Sequence, residues 1–117
     1  MKTERQLGDL WVQGYRNAGA WALKIPGSTT AGIPDWLILH GGVQLWEAKR
    51  IQQKGRLAYS PKQLSAAQRF FQRMLKRYAP KGGGVVVLGE ACFVELSPAA
   101  ALLPLNQAAF LRKQIAY

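Results

Sequence analysis

The sequence predicts a single α/β domain with a mixed central sheet flanked by helices, in the order αβββαββ followed by a helical tail. Three observations predict it. Apolar residues recur at helical spacing over residues 3–18 and again up to Tyr78, with short β-branched and aromatic runs between and after them. Gly and Pro clusters separate these segments. The 117 residues, 49% hydrophobic, supply one core and leave no room for a second.

The first helix spans residues 3 to 18, with Thr3 as N-cap, Leu7, Leu10, Trp11 and Tyr15 as its apolar positions and Gly19 as its stop. The stretch AWALKIP, 20 to 26, reads as extended with Trp21, Leu23 and Ile25 on one face, and PGSTTAGIP as a loop. DWLIL (35–39) and VQLWEAK (43–49) flank His40, Gly41 and Gly42, which predicts a β-hairpin. A polar, basic loop runs from Arg50 to Tyr59. The second helix starts at Ser60 or Ser65, each followed by Gln three residues on, and ends at Tyr78; Leu64, Ala67, Phe71, Leu75 and Tyr78 form its buried stripe. Gly82 to Gly84 end that segment, GVVVLG reads as a buried strand and ACFVEL as another. From Ser97 on, helical turns interrupted by Pro104 carry Leu102, Leu103, Leu105, Phe110, Leu111 and Ile115. The core domain thus covers about 4–95, and the tail 97–117 either caps it or meets a second subunit.

Charge bounds the function. Sixteen Lys and Arg against six Asp and Glu give +10 and a pI near 10.3, which points to a polyanionic partner. Ten of the sixteen basic residues fall between Ala48 and Gly89, a stretch with no acid. That stretch is the expected phosphate-facing surface. No apolar run approaches the roughly 20 residues needed to cross a bilayer, and no secretory h-region follows Lys2. A single cysteine, Cys92, excludes an intramolecular disulfide and a multi-cysteine zinc site, so a cytoplasmic setting is expected.

Among the few acids, Asp35 enters one strand of the hairpin, and Glu47 and Lys49 lie two apart on one face of the next. Two carboxylates and an ammonium that converge supply hard oxygen ligands for Mg²⁺ and a group to orient an attacking water. The hairpin imposes a parity condition. A three-residue connection, His40 to Gly42, pairs Leu39 with Val43 and sets Asp35 opposite Glu47; a two-residue turn sends Asp35 to the other face unless a bulge or the irregular Pro34 entry corrects it, so a three-residue or bulged connection is predicted. Each residue also has a plainer role. Asp35 suits a strand-entry turn, Glu47 and Lys49 a surface ion pair, Glu4 the first turn of a helix and Gln68 a capping box. Trp36 and Trp46 read as core, His40 as a turn residue and Cys92 as a buried strand residue. The joint placement favours a site.

Pro34-Asp35 and Glu47-Ala48-Lys49, after a Gly-rich loop and before LSAAQRFFQRML, resemble the PD-(D/E)XK nuclease superfamily, most closely its VRR-NUC domains and Holliday-junction resolvases. The similarity spans roughly Glu4 to Leu88. It implies a restriction-endonuclease-like fold and a Mg²⁺-dependent, structure-selective DNA endonuclease, with Mn²⁺ able to substitute. The implied catalytic set is Asp35, Glu47, Lys49, Glu4 and Gln68, with Gln63 a weaker match than Gln68. The implied metal ligands are Asp35, Glu47, the Ala48 carbonyl and Glu4, the last directly or through water. DNA contacts are expected from Arg5, Ser28, Arg50, Lys54, Arg56, Lys62, Arg69 and Arg73. The leading expectation is a Holliday-junction resolvase acting as a homodimer, intracellular, nucleoid-associated or phage-encoded, with the tail in its interface. The alternatives are a flap or general duplex nuclease, or a non-catalytic basic nucleic-acid-binding module.

Overall fold

The computed structural model describes residues 2–27, 31–53 and 56–117. Helix α1 (Glu4–Asn17) begins at a reciprocal capping box in which Thr3 Oγ1 accepts from the Gln6 N–H and Gln6 Oε1 accepts from the Thr3 N–H. Strands β1 (Trp21–Lys24), β2 (Trp36–Leu39) and β3 (Val43–Arg50) follow. A small ribbon, β4 (Gln52–Gln53) with β5 (Arg56–Leu57), and a 3-10 turn (Pro61–Gln63) lead into helix α2 (Ala66–Tyr78). Then come β6 (Gly83–Leu88), β7 (Cys92–Leu96), helices α3 (Pro98–Leu102) and α4 (Gln107–Leu111), and a short β8 (Ile115–Ala116).

The six-stranded sheet runs β1-β2-β3-β6-β7-β8 and is antiparallel at every step except β3–β6. That parallel step needs a crossover, which α2 carries. The expected mixed α/β sheet is present.

Alternation along the strands splits the sheet into two packed faces. On one, Leu7, Trp11 and Val12 of α1 lie against Trp36, Ile38, Trp46, Ala48, Val86 and Leu88. On the other, Val85, Val87, Val94 and Leu96 meet Leu57, Tyr59, Leu64, Ala101 and Phe110. Strand β6 is buried on both faces along its whole length, which is why it reads as an unbroken apolar run. Gly83 and Gly84 let it enter the middle of the sheet: their φ values are +111° and +148°, and a Cβ would run into the carbonyl of Leu45 or Leu96.

Trp36 and Trp46 are core at 2% and 7% exposure, and His40 sits in the exposed hairpin turn. Cys92 is a half-buried strand residue rather than a buried one; its thiol lies 3.0 Å from Gln114 Oε1, and burial pushes its pKa up. Both candidate helix starts are used, Ser60 capping the 3-10 turn and Ser65 capping α2. Three expectations change. The segment 50–59 is not a plain loop, because β4 and β5 fold it back and bring Leu57 and Tyr59 into the core. The buried stripe of α2 ends at Leu75, so Tyr78 is 71% exposed, while Gln72 is buried. The tail caps its own domain: Ala101 and Phe110 are buried in the second core cluster and β8 pairs with β7, so these groups are not free for a subunit interface.

Phe110→Ala therefore removes core volume rather than a dimer contact. It is expected to cost about 3–5 kcal/mol of unfolding free energy in urea titrations, independently of protein concentration. A loss below about 1 kcal/mol would contradict the packing of the tail.

Candidate active site

The β2–β3 hairpin closes over His40, Gly41 and Gly42, with Leu39 opposite Val43 and Trp36 opposite Trp46. The His40 N–H donates to the Gly42 carbonyl at 3.0 Å, and both glycines have positive φ, +64° and +143°. This is the three-residue connection the parity condition requires. The paired register ends at Trp36–Trp46 and turns Glu47 to the face away from α1. Asp35 does not continue it, because its N–H donates to the Trp46 carbonyl at 3.0 Å, an irregular entry after Pro34.

Glu47 is 4% exposed, so it is not a surface residue, and it makes no salt bridge with Lys49. Its carboxyl is within hydrogen-bonding reach of Asp35, and its pKa is pushed up to about 9. Burial is the largest cause, followed by the hydrogen bond to Asp35 and the Asp35 charge; Lys49 lowers the value and Glu4 raises it slightly. Asp35 Oδ2 accepts from the Ala48 N–H at 2.7 Å, and Oδ1 lies 3.5 Å from Lys24 Nζ. Asp35 therefore fills the strand-entry role and reaches Glu47 as well. The Ala48 carbonyl shares the edge of β3 that carries its N–H. It lies past the first residue of β2, where Pro34 has no N–H to offer.

The N-terminus of α1 adds Glu4, whose Oε2 accepts from the Arg50 N–H at 3.3 Å. Lys49 shares the Glu47 face, in register with Val87, and takes part in no salt bridge among the described residues. Lys24 was not foreseen. It joins the site because β1 pairs with β2 and sets Lys24 opposite Trp36, one residue from Asp35, which is known only once the partner of β1 is known. Tyr59 lies close enough to Glu47 for its phenol pKa to be raised by that charge, after burial. Its hydroxyl donates to the Ala101 carbonyl at 2.7 Å.

Gln68 is committed to capping: its Oε1 accepts from the Ser65 N–H at 2.9 Å, and Gln63 does the same for Ser60 at 2.7 Å. The buried glutamine of α2 is instead Gln72. Its Nε2 donates to the Gly84 carbonyl at 3.3 Å, one ladder step from the Glu47–Val85 pair, and its Oε1 has no partner among the described residues. A polar residue three positions before Leu75, inside an apolar stripe, was the available signal.

The basic set divides. Arg50 is tied to Glu90 at 2.7 Å, Arg5 to Asp9 at 3.2 Å, and Arg69 donates to the Leu64 carbonyl at 2.5 Å, so these three guanidinium groups have protein partners. Arg56, Lys62 and Arg73 are exposed, as are Lys76 and Arg77 of α2. Ser28 and Lys54 lie outside the described residues.

Asp35, Glu47 and the Ala48 carbonyl bring hard oxygens to one edge of the hairpin, where Lys24 pairs with Asp35 and Lys49 offsets part of the charge at Glu47. No group of three or more His, Cys, Asp or Glu side chains among the described residues could hold a metal ion. Glu4 is therefore not gathered with Asp35 and Glu47 into a ligand cluster, and what the site offers is two carboxyls and a backbone carbonyl. Among the described residues, no helix is long and apolar enough to cross a membrane. No family model, curated protein or solved structure matches this chain.

A carboxyl whose folded-state pKa lies above its unfolded value favours folding while protonated, and that advantage is lost as pH rises from about 4.5 through about 9. Glu47→Gln is therefore expected to raise stability at pH 8 by about 1–2 kcal/mol without divalent cation, with the difference closing near pH 4. A Tm lowered at pH 8 would show instead that Glu47 is structurally satisfied.

Proposed function

We propose that this chain is a Mg²⁺-dependent, structure-selective DNA endonuclease of PD-(D/E)XK type, most simply a Holliday-junction resolvase acting as a homodimer inside the cell. The observation that carries the reading is the meeting of the buried Glu47 carboxyl with the half-buried Asp35 carboxyl at the entry of a hairpin, in a chain of strongly basic charge. A core carboxyl raised to about 9 is a poor structural choice, and such perturbation clusters at functional sites. The restriction-endonuclease-like version of this α/β sheet belongs to the same proposal.

In this reading Asp35, Glu47 and the Ala48 carbonyl hold the ion, with Glu4 at its margin through water. Mg²⁺ supplies charge stabilisation to the phosphate. Lys49, on the face of Glu47 and free of a salt bridge, orients the attacking water and offsets charge on the phosphate. Gln72, rather than Gln68, is the α2 amide that braces β6 beneath the site. Exposed Arg56, Lys62, Arg73, Lys76 and Arg77 contact backbone phosphates, which makes binding steeply salt-dependent. With much of the apolar tail packed on its own core, we assign the two-fold contact to the exposed sheet residues Trp21, Leu23, Leu39 and Val43.

One observation favours a second DNA substrate. Phe70 and Tyr78 stand 56% and 71% exposed on α2, each under an arginine, Arg73 at 5.9 Å and Arg77 at 5.2 Å from the ring centroids. Exposed aromatics beside guanidinium groups suit unpaired bases, and hence a flap.

Asp35→Asn and Lys49→Met are each expected to slow Mg²⁺-dependent cleavage of a synthetic four-way junction by about 100-fold or more, with affinity within about threefold of wild type. Unchanged cleavage by Asp35→Asn would remove the proposed site. For the flap, Phe70→Ala and Tyr78→Ala are each expected to weaken binding of single-strand-bearing DNA by about 1–3 kcal/mol and leave the four-way junction unaffected. Equal effects on both substrates would return the assignment to the junction.

A further inference from the structure

A cavity of about 490 Å³ opens on the α1 side of the sheet, between the C-terminal half of α1 and strands β7 and β8. Its volume is in the range of small-molecule sites, and its walls are mostly apolar and aromatic, including Leu10, Tyr15, Phe93 and Ile115. His40 stands edge-on to Tyr15 with ring centroids 5.9 Å apart.

Into this cavity β7 presents Glu95, which pairs across the sheet with Val86 of the α1-facing cluster. Glu95 Oε2 accepts from Trp11 Nε1–H at 2.8 Å and from the Tyr15 hydroxyl at 2.6 Å. Both donors are neutral. Asp9, Asp35 and Glu90 each pair with Lys or Arg, whereas Glu95 makes no salt bridge among the described residues. Its Oε1 accepts no hydrogen bond from any described residue and is not sealed from solvent. The two bonds to Oε2 explain how α1 is fastened to β7. They do not explain why the residue is a carboxylic acid, since an amide oxygen would accept both, nor a hollow beside the second oxygen.

We propose that this cavity binds a small organic ammonium ion with an aromatic or alkyl body. Its N–H groups donate to Glu95 Oε1 in a charge-assisted bond, and its body lies against Leu10, Phe93 and Ile115. The faces of Tyr15 and Phe93 add cation–π attraction. The overall charge of +10 works against casual uptake of cations, so a cation held here is held by this carboxylate. The inference does not depend on the nuclease reading, because neither Asp35 nor Glu47 lines the cavity and Glu47 lies on the other face of the sheet.

The test uses the ¹⁵N-labelled full chain, following the Trp11 indole N–H signal during titration with phenethylammonium, its neutral counterpart 2-phenylethanol and the anion 3-phenylpropionate. Phenethylammonium is expected to shift that signal saturably and to bind at least about tenfold more tightly than the alcohol, with no effect from the anion. In Glu95→Gln, whose amide oxygen can still accept from Trp11 and Tyr15, that preference disappears. Equal binding of cation and alcohol, no saturable shift, or an unchanged preference in Glu95→Gln would each overturn the proposal. If the variant does not fold, the three probes on the wild-type protein decide it.

Discussion

A side chain on a strand has only two faces available, and one hairpin connection here makes that choice for both the core and the site. With three residues between Leu39 and Val43, every pair across β2 and β3 shares a side. Trp36 and Trp46 go under α1, where Trp11 meets Trp46 edge-on with centroids 5.5 Å apart. The same register turns Glu47 to the other face, while Asp35, just before the paired residues, donates its N–H to the Trp46 carbonyl and meets the Glu47 carboxyl from the strand entry. A connection one residue shorter would put one tryptophan in water. The apolar burial that stabilises the hairpin therefore also fixes the face that Glu47 takes, and the positive φ values at Gly41 and Gly42 make the connection possible.

The central position of β6 has a comparable consequence for Glu47. Because β6 packs on both sides, β3 is an interior strand, and a carboxyl in its middle loses most of its water. Neither Lys49 nor Lys24 makes a salt bridge with Glu47 among the described residues. The carboxyl is left to share a proton with Asp35 or to find a cation outside the chain. A fold selected for stability alone would place an apolar side chain there, which is why the proposed function starts from this residue.

The two buried or half-buried carboxylates most isolated from basic residues, Glu47 and Glu95, sit on opposite sides of one sheet. At Glu47 the neighbour is a second acid, and in the proposed reading a hard divalent ion would relieve the crowding. At Glu95 the neighbours are a neutral indole and a neutral phenol, whose own ionisation is disfavoured first by burial and then by Glu95. Such a carboxylate in an aromatic setting selects a soft organic cation.

From sequence alone, the α1 helix with its Thr3 cap, the hairpin and the buried β6 were legible, because each rests on local spacing and turn chemistry; the exact connection of the hairpin and the choice between Ser60 and Ser65 as helix start were left open. The candidacy of Asp35, Glu47 and Lys49 followed from the same spacing. Tertiary structure decided what depends on partners distant in the chain. It drew Leu57 and Tyr59 into the core, buried Gln72 in place of Tyr78, tied Arg50 to Glu90 and brought Lys24 to Asp35. It also fastened Glu95 to Trp11 across 84 positions of sequence. No local pattern encodes such contacts, since a charge or an amide looks alike in the chain whether it faces water, a carboxylate or an indole.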